Sequence, residues 1–345
     1  EGLLLFRMDS LLSVLDRIVM ILICGGLLWG SRVGFSVELF VYAQTIAYVI
    51  TLAVALTALV KRTGLRRLTF SKPFTLSILR QSAPFALLVL LMASYNRLDP
   101  VLLQRLLPDG VAQAGIYAGA FRLLDALTMI AYLVSVPLLP IYAKLTKEHA
   151  ISDIASITRL VFSLMLVFSL TCAMALSCWG YQWMGLMYHD HVMDSAAVFR
   201  ILIWGIVPIS MTYIFGTLLT ANGSLRQLNL LATTTLVINL GINLLLIPRL
   251  AAVGSAWASL GAQSFIAVAQ ILLALRLFGM KPSLGYTINI VFYVIVVVAF
   301  ALLCLLLPCA WWLQCLAFSL TALAFALSLK LINLKEIGDL LKNKN

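Results

Sequence analysis

The stretch YTINIVFYVIVVVAFALLCLLL, residues 286–307, is long enough to cross a lipid bilayer as one helix and contains no charged side chain. A helix needs about 20 apolar residues to span the ~30 Å hydrocarbon core. The sequence therefore predicts an all-α integral membrane protein with about ten transmembrane helices. The approximate bounds of these runs are 10–29, 35–60, 77–97, 113–141, 156–179, 196–221, 229–248, 253–275, 286–307 and 309–331.

The composition agrees with this fold class and excludes an ordinary soluble domain. Of the 345 residues, 63% are hydrophobic and 11% are charged, whereas soluble domains are about 25% charged. The net charge of +11 would suit a nucleic-acid partner only if the basic residues formed a soluble face with interleaved aromatics. Here most basic residues lie between apolar runs, so we expect membrane lipids as partners and no nucleic acid.

The distribution of lysine and arginine predicts the orientation, because positively charged segments stay in the cytoplasm. If residues 1–9 are cytoplasmic, seventeen of the 24 basic residues lie on that side and five on the other, with Arg17 and Arg122 inside spans. Both termini are then cytoplasmic. The basic connection 61–76 is either an amphipathic linker on anionic headgroups or a solvated loop.

Arg122 and Asp125 are the first candidates for a functional site. Each charge near a bilayer centre costs about 3 kcal/mol, so such residues usually line a water-filled route or a binding site. Arg122 lies nine residues into the fourth run, roughly 14 Å deep. Asp125 is three residues further on the same face, so two interpretations stay open: an ion pair within the helix, or an arginine that lines a cavity.

Arg97 and Asp99 form a second candidate pair, within SYNRLDP at 94–100. Pro100 can kink the helix and open a polar notch beside Tyr95 and Asn96; alternatively, both charges snorkel to the interface.

Amides in the later spans predict contacts between helices. Asn239 and Asn243 share one face of their span and are predicted to hydrogen-bond to Gln263 on the next. The sequence contains no nucleophile with its base, no phosphate-binding glycine loop and no metal motif. We therefore expect no catalytic residue, no metal ligand and no cofactor.

Several stretches resemble the polysaccharide transporter family, flippases for lipid-linked oligosaccharides within the superfamily that also holds the multidrug extruders. They are NRLD at 96–99, AGIYAGAFRL at 114–123, LTANGS at 219–224, INLGINLLLIP at 238–248 and VGSAWA at 253–258. Two departures stand out. The chain has RLAA at 249–252, where the family usually has a glycine-rich turn, and it is shorter than the family's twelve to fourteen spans.

The resemblance implies a two-bundle flippase fold of which this chain holds the second bundle and part of the first, apparently without the N-terminal spans. Its expected divisions are two N-terminal spans, a cytoplasmic linker, a six-helix bundle, two peripheral spans and a cytoplasmic tail: 1–60, 61–76, 77–275, 286–331 and 332–345.

The function implied is not enzymatic. By resemblance the chain moves an undecaprenyl-pyrophosphate-linked oligosaccharide across the bacterial inner membrane by alternating access, for O-antigen, capsule or exopolysaccharide assembly, with a polysaccharide polymerase as a further partner. Arg122 would hold phosphate and polar residues would meet the sugars. The expected substrate-binding set is Arg122, Arg97, Asp125, Asp99, Tyr95, Asn96 and Gln113.

Two alternatives compete with this function. A multidrug antiporter of the same superfamily needs unpaired carboxylates, whereas each deep aspartate here has an arginine nearby in sequence. A membrane-embedded polysaccharide polymerase or ligase needs a large external loop, and the far-side connections are short, the longest being 180–195.

The orientation can be tested by single-cysteine labelling with an impermeant reagent in intact cells, after the six native cysteines are replaced. We expect Met187→Cys to be labelled and Arg66→Cys to be protected, because the basic connection is predicted to be cytoplasmic. Labelling at 66 with none at 187 would overturn the topology.

Overall fold

The computed structural model describes residues 6–30, 36–63, 71–281, 283–329 and 331. These residues form α-helices joined by short connections, and no strand occurs among them. The helices are α1 (Phe6–Gly30), α2 (Val37–Thr63), α3 (Lys72–Leu106), α4 (Gly110–Lys147), α5 (Ile151–Cys178), α6 (Gly180–Met187), α7 (Val192–Leu202), α8 (Ile206–Ala221), α9 (Leu225–Phe278), α10 (Leu284–Leu305) and α11 (Trp311–Ser328).

Eight helical segments in the described part of the chain are long and apolar enough to cross a membrane. One of them joins α7 and α8 through the 3-10 turn Ile203–Gly205. The prediction of an all-α multi-pass membrane protein is therefore confirmed.

Helix α9 is a hairpin of two antiparallel arms. Its 54 residues would extend ~81 Å as one straight helix, far more than the ~30 Å hydrocarbon core. Ala251 interrupts it with φ 49° and ψ −130°. The Ser255 hydroxyl then donates to Asn243 Oδ1 at 2.9 Å, although twelve residues of straight helix measure ~18 Å. The break falls between residues 248 and 253, where the sequence separates two spans; we call 225–250 the first arm and 252–278 the second.

The chain divides into two compact units, Glu1–Ser77 and Ile78–Asn345. In the first, α1 and α2 pack against each other, and Ala43 and Ala47 are buried one turn apart on α2. Helix α2 runs through Thr63 and α3 begins at Lys72, so both ends of the expected 61–76 connection are helical. Residues 64–70 and the expected tail at 332–345 lie outside the described residues.

In the second unit, α4, α5, α8 and α9 pack around a common core. Helices α10 and α11 pack on the outer side of α5 through buried aromatic side chains. Polar contacts help to fix this interface: Thr171 Oγ1 lies 2.9 Å from the Tyr293 hydroxyl, Ser163 Oγ lies 2.6 Å from the Tyr286 hydroxyl, and Trp179 Nε1 donates to Gln314 Oε1 at 2.8 Å.

Helix α3 is fastened to α9 by polar side chains. Asn229 Nδ2 donates to the Pro84 carbonyl oxygen at 3.0 Å, and Gln263 Nε2 donates to Asn96 Oδ1 at 2.6 Å. Lipid tails are as apolar as leucine, so close packing and hydrogen bonds between helices hold a membrane bundle together. The position of α3 therefore depends on these amides.

The connection 180–195 is largely helical. It contains the short helix α6 (Gly180–Met187), and α7 already begins at Val192. Met184 of α6 is fully buried, because the apolar residues of this connection complete one end of the core.

Close packing at the α9 hairpin generates a stability prediction. A Cβ at Gly254 would lie 2.5 Å from the Leu246 carbonyl oxygen, which belongs to the backbone of the first arm. We expect Gly254→Ala to lower the free energy of unfolding in detergent by roughly 1–3 kcal/mol, because the added methyl group overpacks the contact between the two arms.

Gly241→Ala is the matched control, because a Cβ there meets nothing within 4 Å and alanine favours a helix. It should leave the melting temperature unchanged or raise it. Equal losses of stability in both variants would contradict the hairpin.

Candidate functional site

The Asp99 carboxylate lies in the core of the second unit and is fully buried. It accepts hydrogen bonds from the Tyr117 hydroxyl at 2.5 Å, from Asn243 Nδ2 at 2.8 Å and from Asn239 Nδ2 at 3.3 Å. These donors come from α4 and from the first arm of α9. The carboxylate is thus stabilised by neutral groups of two other helices.

This arrangement corrects two predictions. Asp99 is not associated with Arg97, since residues two apart on a helix do not face each other. Asn239 and Asn243 do not bond to Gln263, which instead donates to Asn96. The signal for the cluster was present in the i,i+4 spacing of the two asparagines, but the sequence does not indicate which helix they face.

A polar cavity of about 270 Å³ opens beside this cluster, between α3, α4, α8 and the second arm of α9. We call it the polar cavity. It brings together four of the predicted site residues, Tyr95, Asn96, Arg97 and Asp125, and adds polar groups from α8 and α9. The residues that line it are Met92, Ala93, Tyr95, Asn96, Arg97, Phe121, Leu124, Asp125, Thr128, Ile209, Thr212, Tyr213 and Gln263.

Arg97 is the cation of this cavity, and its partner is Asp125. The two side chains approach to 3.8 Å between Nη2 and Oδ2, and they are 69% and 46% exposed. The Arg97 guanidinium also lies 5.8 Å from the centre of the Phe121 ring. An exposed ion pair contributes only about 0–1 kcal/mol, so a second anion can compete for Arg97 at little cost.

Arg122 does not pair with Asp125, so the interpretation of an ion pair within α4 is wrong. Its side chain is exposed, it does not line the polar cavity, and it makes no ion pair with any residue that the structure describes. Because α4 extends beyond the predicted span at both ends, Arg122 lies roughly 10 Å from the middle of the helix. The expectation that Arg122 lies near the midplane of the bilayer stays a prediction.

Gln113 contacts the turn of the α9 hairpin and does not line the polar cavity. Its Oε1 accepts from the Ala252 backbone N–H at 3.4 Å, and its Nε2 donates to Asp109 Oδ2 at 3.0 Å. The structure therefore does not bring it together with Tyr95 and Asn96. In its place, Thr212, Tyr213 and Gln263 supply polar atoms to the cavity; of these, the sequence analysis singled out only Gln263, for another contact.

Comparison with known proteins supports the family resemblance. Residues 2–146 match the protein-family model described as a polysaccharide biosynthesis protein. The whole fold is similar to the solved structure of the lipid II flippase MurJ in its inward closed conformation, with a TM-score of 0.64. The chain has a flippase fold. At 12% identity the match covers 95% of this chain and 68% of MurJ.

The structural match confirms the predicted flippase fold, and the family match over residues 2–146 agrees with the resemblance to polysaccharide transporters. No curated protein sequence matches significantly.

The buried carboxylate in this flippase fold generates the next prediction. Tyr117→Phe removes one donor from Asp99 and should lower the free energy of unfolding by roughly 1–3 kcal/mol, because hydrogen bonds to charged groups are the stronger ones. Tyr132→Phe is the control, since Tyr132 is 46% exposed and its hydroxyl bonds to none of the described residues. Thermal unfolding of the two variants is compared in detergent. Equal melting curves would show that the hydrogen bond from Tyr117 to Asp99 does not stabilise the fold.

Proposed function

We propose that this chain translocates an undecaprenyl-pyrophosphate-linked oligosaccharide across the bacterial inner membrane, without enzymatic chemistry, and that both of its termini are cytoplasmic. The observation that carries the proposal is a polar cavity whose arginine, Arg97, is only weakly paired, together with a second exposed arginine, Arg122, on the helix that supplies Phe121 and Asp125 to the lining. Arg97 and Arg122 expose two guanidinium groups, and Asp125 is the one carboxylate among the residues that line the cavity.

A pyrophosphate headgroup needs fixed cations when it enters a region of low dielectric constant. Guanidinium binds phosphate through two parallel N–H donors and keeps its charge at every physiological pH. Arg97 can exchange its weak contact with Asp125 for a phosphate oxygen. Arg122, which has no ion-pair partner within the described ranges, can bind phosphate without breaking any contact.

The sugars would meet the polar groups of the cavity. Asn96 and Gln263 present amides, and Tyr213 presents a hydroxyl. Thr212 Oγ1 is buried and has no hydrogen-bond partner among the described residues, so it is free to bond to a ligand. The lipid tail would remain outside the cavity, and a polysaccharide polymerase would use the translocated product.

A cation-coupled multidrug antiporter is the second candidate, and one observation favours it. Asp99 has no arginine partner, contrary to the expectation that every deep aspartate has one nearby. Against this candidate, Asp99 is fully buried, its carboxylate already accepts three hydrogen bonds, and it does not line the polar cavity. The carboxylate that does line it, Asp125, is paired with Arg97.

The test uses complementation of surface glycan in cells that lack their own flippase. We expect Arg122→Ala to reduce surface glycan at least ~10-fold at unchanged protein abundance, because one lost phosphate contact is worth about 1.4 kcal/mol or more. Arg122→Lys should retain only part of the surface glycan, since lysine lacks the planar pair of donors.

Arg105→Ala is the control, an exposed arginine of α3 outside the cavity, and it should leave surface glycan at the parent level. Full display by the Arg122→Ala variant together with export of a cationic dye would favour the antiporter.

The role of Arg97 needs a double variant. If Arg97 serves only to neutralise Asp125, then Arg97→Ala should impair display while Arg97→Ala with Asp125→Ala restores it. We expect the double variant to remain impaired, because the lost cation is itself part of the phosphate site. Recovery of display in the double variant would remove Arg97 from that site.

A further inference from the structure

A second cavity, of about 310 Å³, lies between α5, α8, the second arm of α9 and α10. We call it the Arg159 cavity. Its inner wall is apolar and is formed mainly by Phe162, Phe215, Ile271, Leu275 and Met280. It shares no lining residue with the polar cavity, and nothing in the transport proposal uses it.

Two cations stand among the residues that line this cavity, Arg159 and Lys281. Neither makes an ion pair with a carboxylate in the described part of the chain, and no acidic residue lines the cavity. Both residues are exposed, so an anion that binds at the mouth of the cavity meets two positive charges and displaces no carboxylate. The site has the electrostatics of an anion receptor.

The arginine is held in place by its surroundings. Its guanidinium carbon lies 4.4 Å from the centre of the Tyr286 ring, a close cation–π contact. The Tyr286 hydroxyl lies 2.6 Å from Ser163 Oγ, and the Tyr286 backbone N–H donates to Ser283 Oγ at 3.3 Å. Stacking on a ring leaves the N–H groups at the edge of the guanidinium free to bind an oxyanion.

The cavity lies near helix ends on the side predicted to be cytoplasmic. Arg159 is ~12 Å along α5 from the helix start, Lys281 follows the end of α9, and Tyr286 is in the first turn of α10. This is the side predicted to be cytoplasmic, where anionic lipids attract lysine and arginine. Cations above an apolar wall match the headgroup and acyl chain of a phospholipid.

We infer that the Arg159 cavity binds one anionic phospholipid of the cytoplasmic leaflet, with its phosphate on Arg159 and Lys281 and an acyl chain along Phe162, Phe215 and Ile271. The bound lipid bridges α5, α9 and α10, so it stabilises the attachment of α10 to the bundle. This site is independent of the transported substrate.

The experiment measures melting temperatures of the purified full chain in detergent as phosphatidylglycerol, phosphatidylcholine or inorganic phosphate is added. Phosphatidylglycerol should raise the melting temperature in a saturable way, because a ligand of the folded state alone stabilises it by mass action. Phosphatidylcholine at the same concentration should give a clearly smaller shift. Arg159→Ala with Lys281→Ala should weaken the apparent affinity for phosphatidylglycerol about tenfold or more.

The matched control is Arg276→Ala, which removes one exposed positive charge on the same side of the membrane, outside the cavity lining. It should keep the preference for phosphatidylglycerol. If the double variant is too unstable to purify, Lys281→Glu reverses one charge outside the helices and should abolish the preference by itself.

Three results would overturn the inference. They are equal stabilisation by phosphatidylglycerol and phosphatidylcholine, an equal loss of preference in Arg276→Ala, and a full shift produced by inorganic phosphate alone, which would mean a site for a free anion.

Discussion

The second unit depends on the burial of one carboxylate. Asp99 is fully buried on α3 and receives donors from α4 and from the first arm of α9. Ser255, on the second arm, joins the same cluster through Asn243. Loss of one donor from a buried carboxylate costs roughly 1–3 kcal/mol, so displacement of any of these side chains is unfavourable. Helices α3 and α4 and the two arms of α9 are thereby fixed relative to one another.

The hairpin of α9 carries the strain that this cluster requires. Ser255 reaches Asn243 only if the two arms approach closely, and Gly254 permits that approach. Ala251 adopts a positive φ, which costs about 1–3 kcal/mol for a residue with a side chain. The family that the sequence resembles usually has a glycine-rich turn here, whereas this chain has RLAA at 249–252. The contact from Gln113 to the Ala252 N–H helps to keep the strained turn closed.

Much of the fold could be predicted because each span must be mostly apolar, so breaks between spans and polar residues within them stand out in the sequence. The break after Pro248 and the cavity residues Tyr95, Asn96, Arg97 and Asp125 follow from such patterns. The pairings could not be predicted, since spacing shows only which residues share a face of one helix. The contact from Gln263 to Asn96 joins residues 167 positions apart, and the pair of Arg97 with Asp125 depends on how α3 packs against α4. Helix α6 was missed because a short apolar segment between two spans has no periodicity of its own.

The spacing of Arg97 and Asp99 links the stability of the bundle to the charge of the cavity. Two residues apart, they point to opposite sides of α3, so Asp99 faces the core and Arg97 faces the cavity. Had Asp99 faced the cavity, Arg97 would have stood there with two aspartates, and the lining would have carried a net negative charge. Neutral donors satisfy Asp99 in the core without using a cation, so Asp125 is the one carboxylate that faces Arg97 in the cavity lining. By stabilising this carboxylate away from the cavity, Tyr117, Asn239 and Asn243 keep a second negative charge out of the lining, which the proposed binding of an anionic headgroup needs.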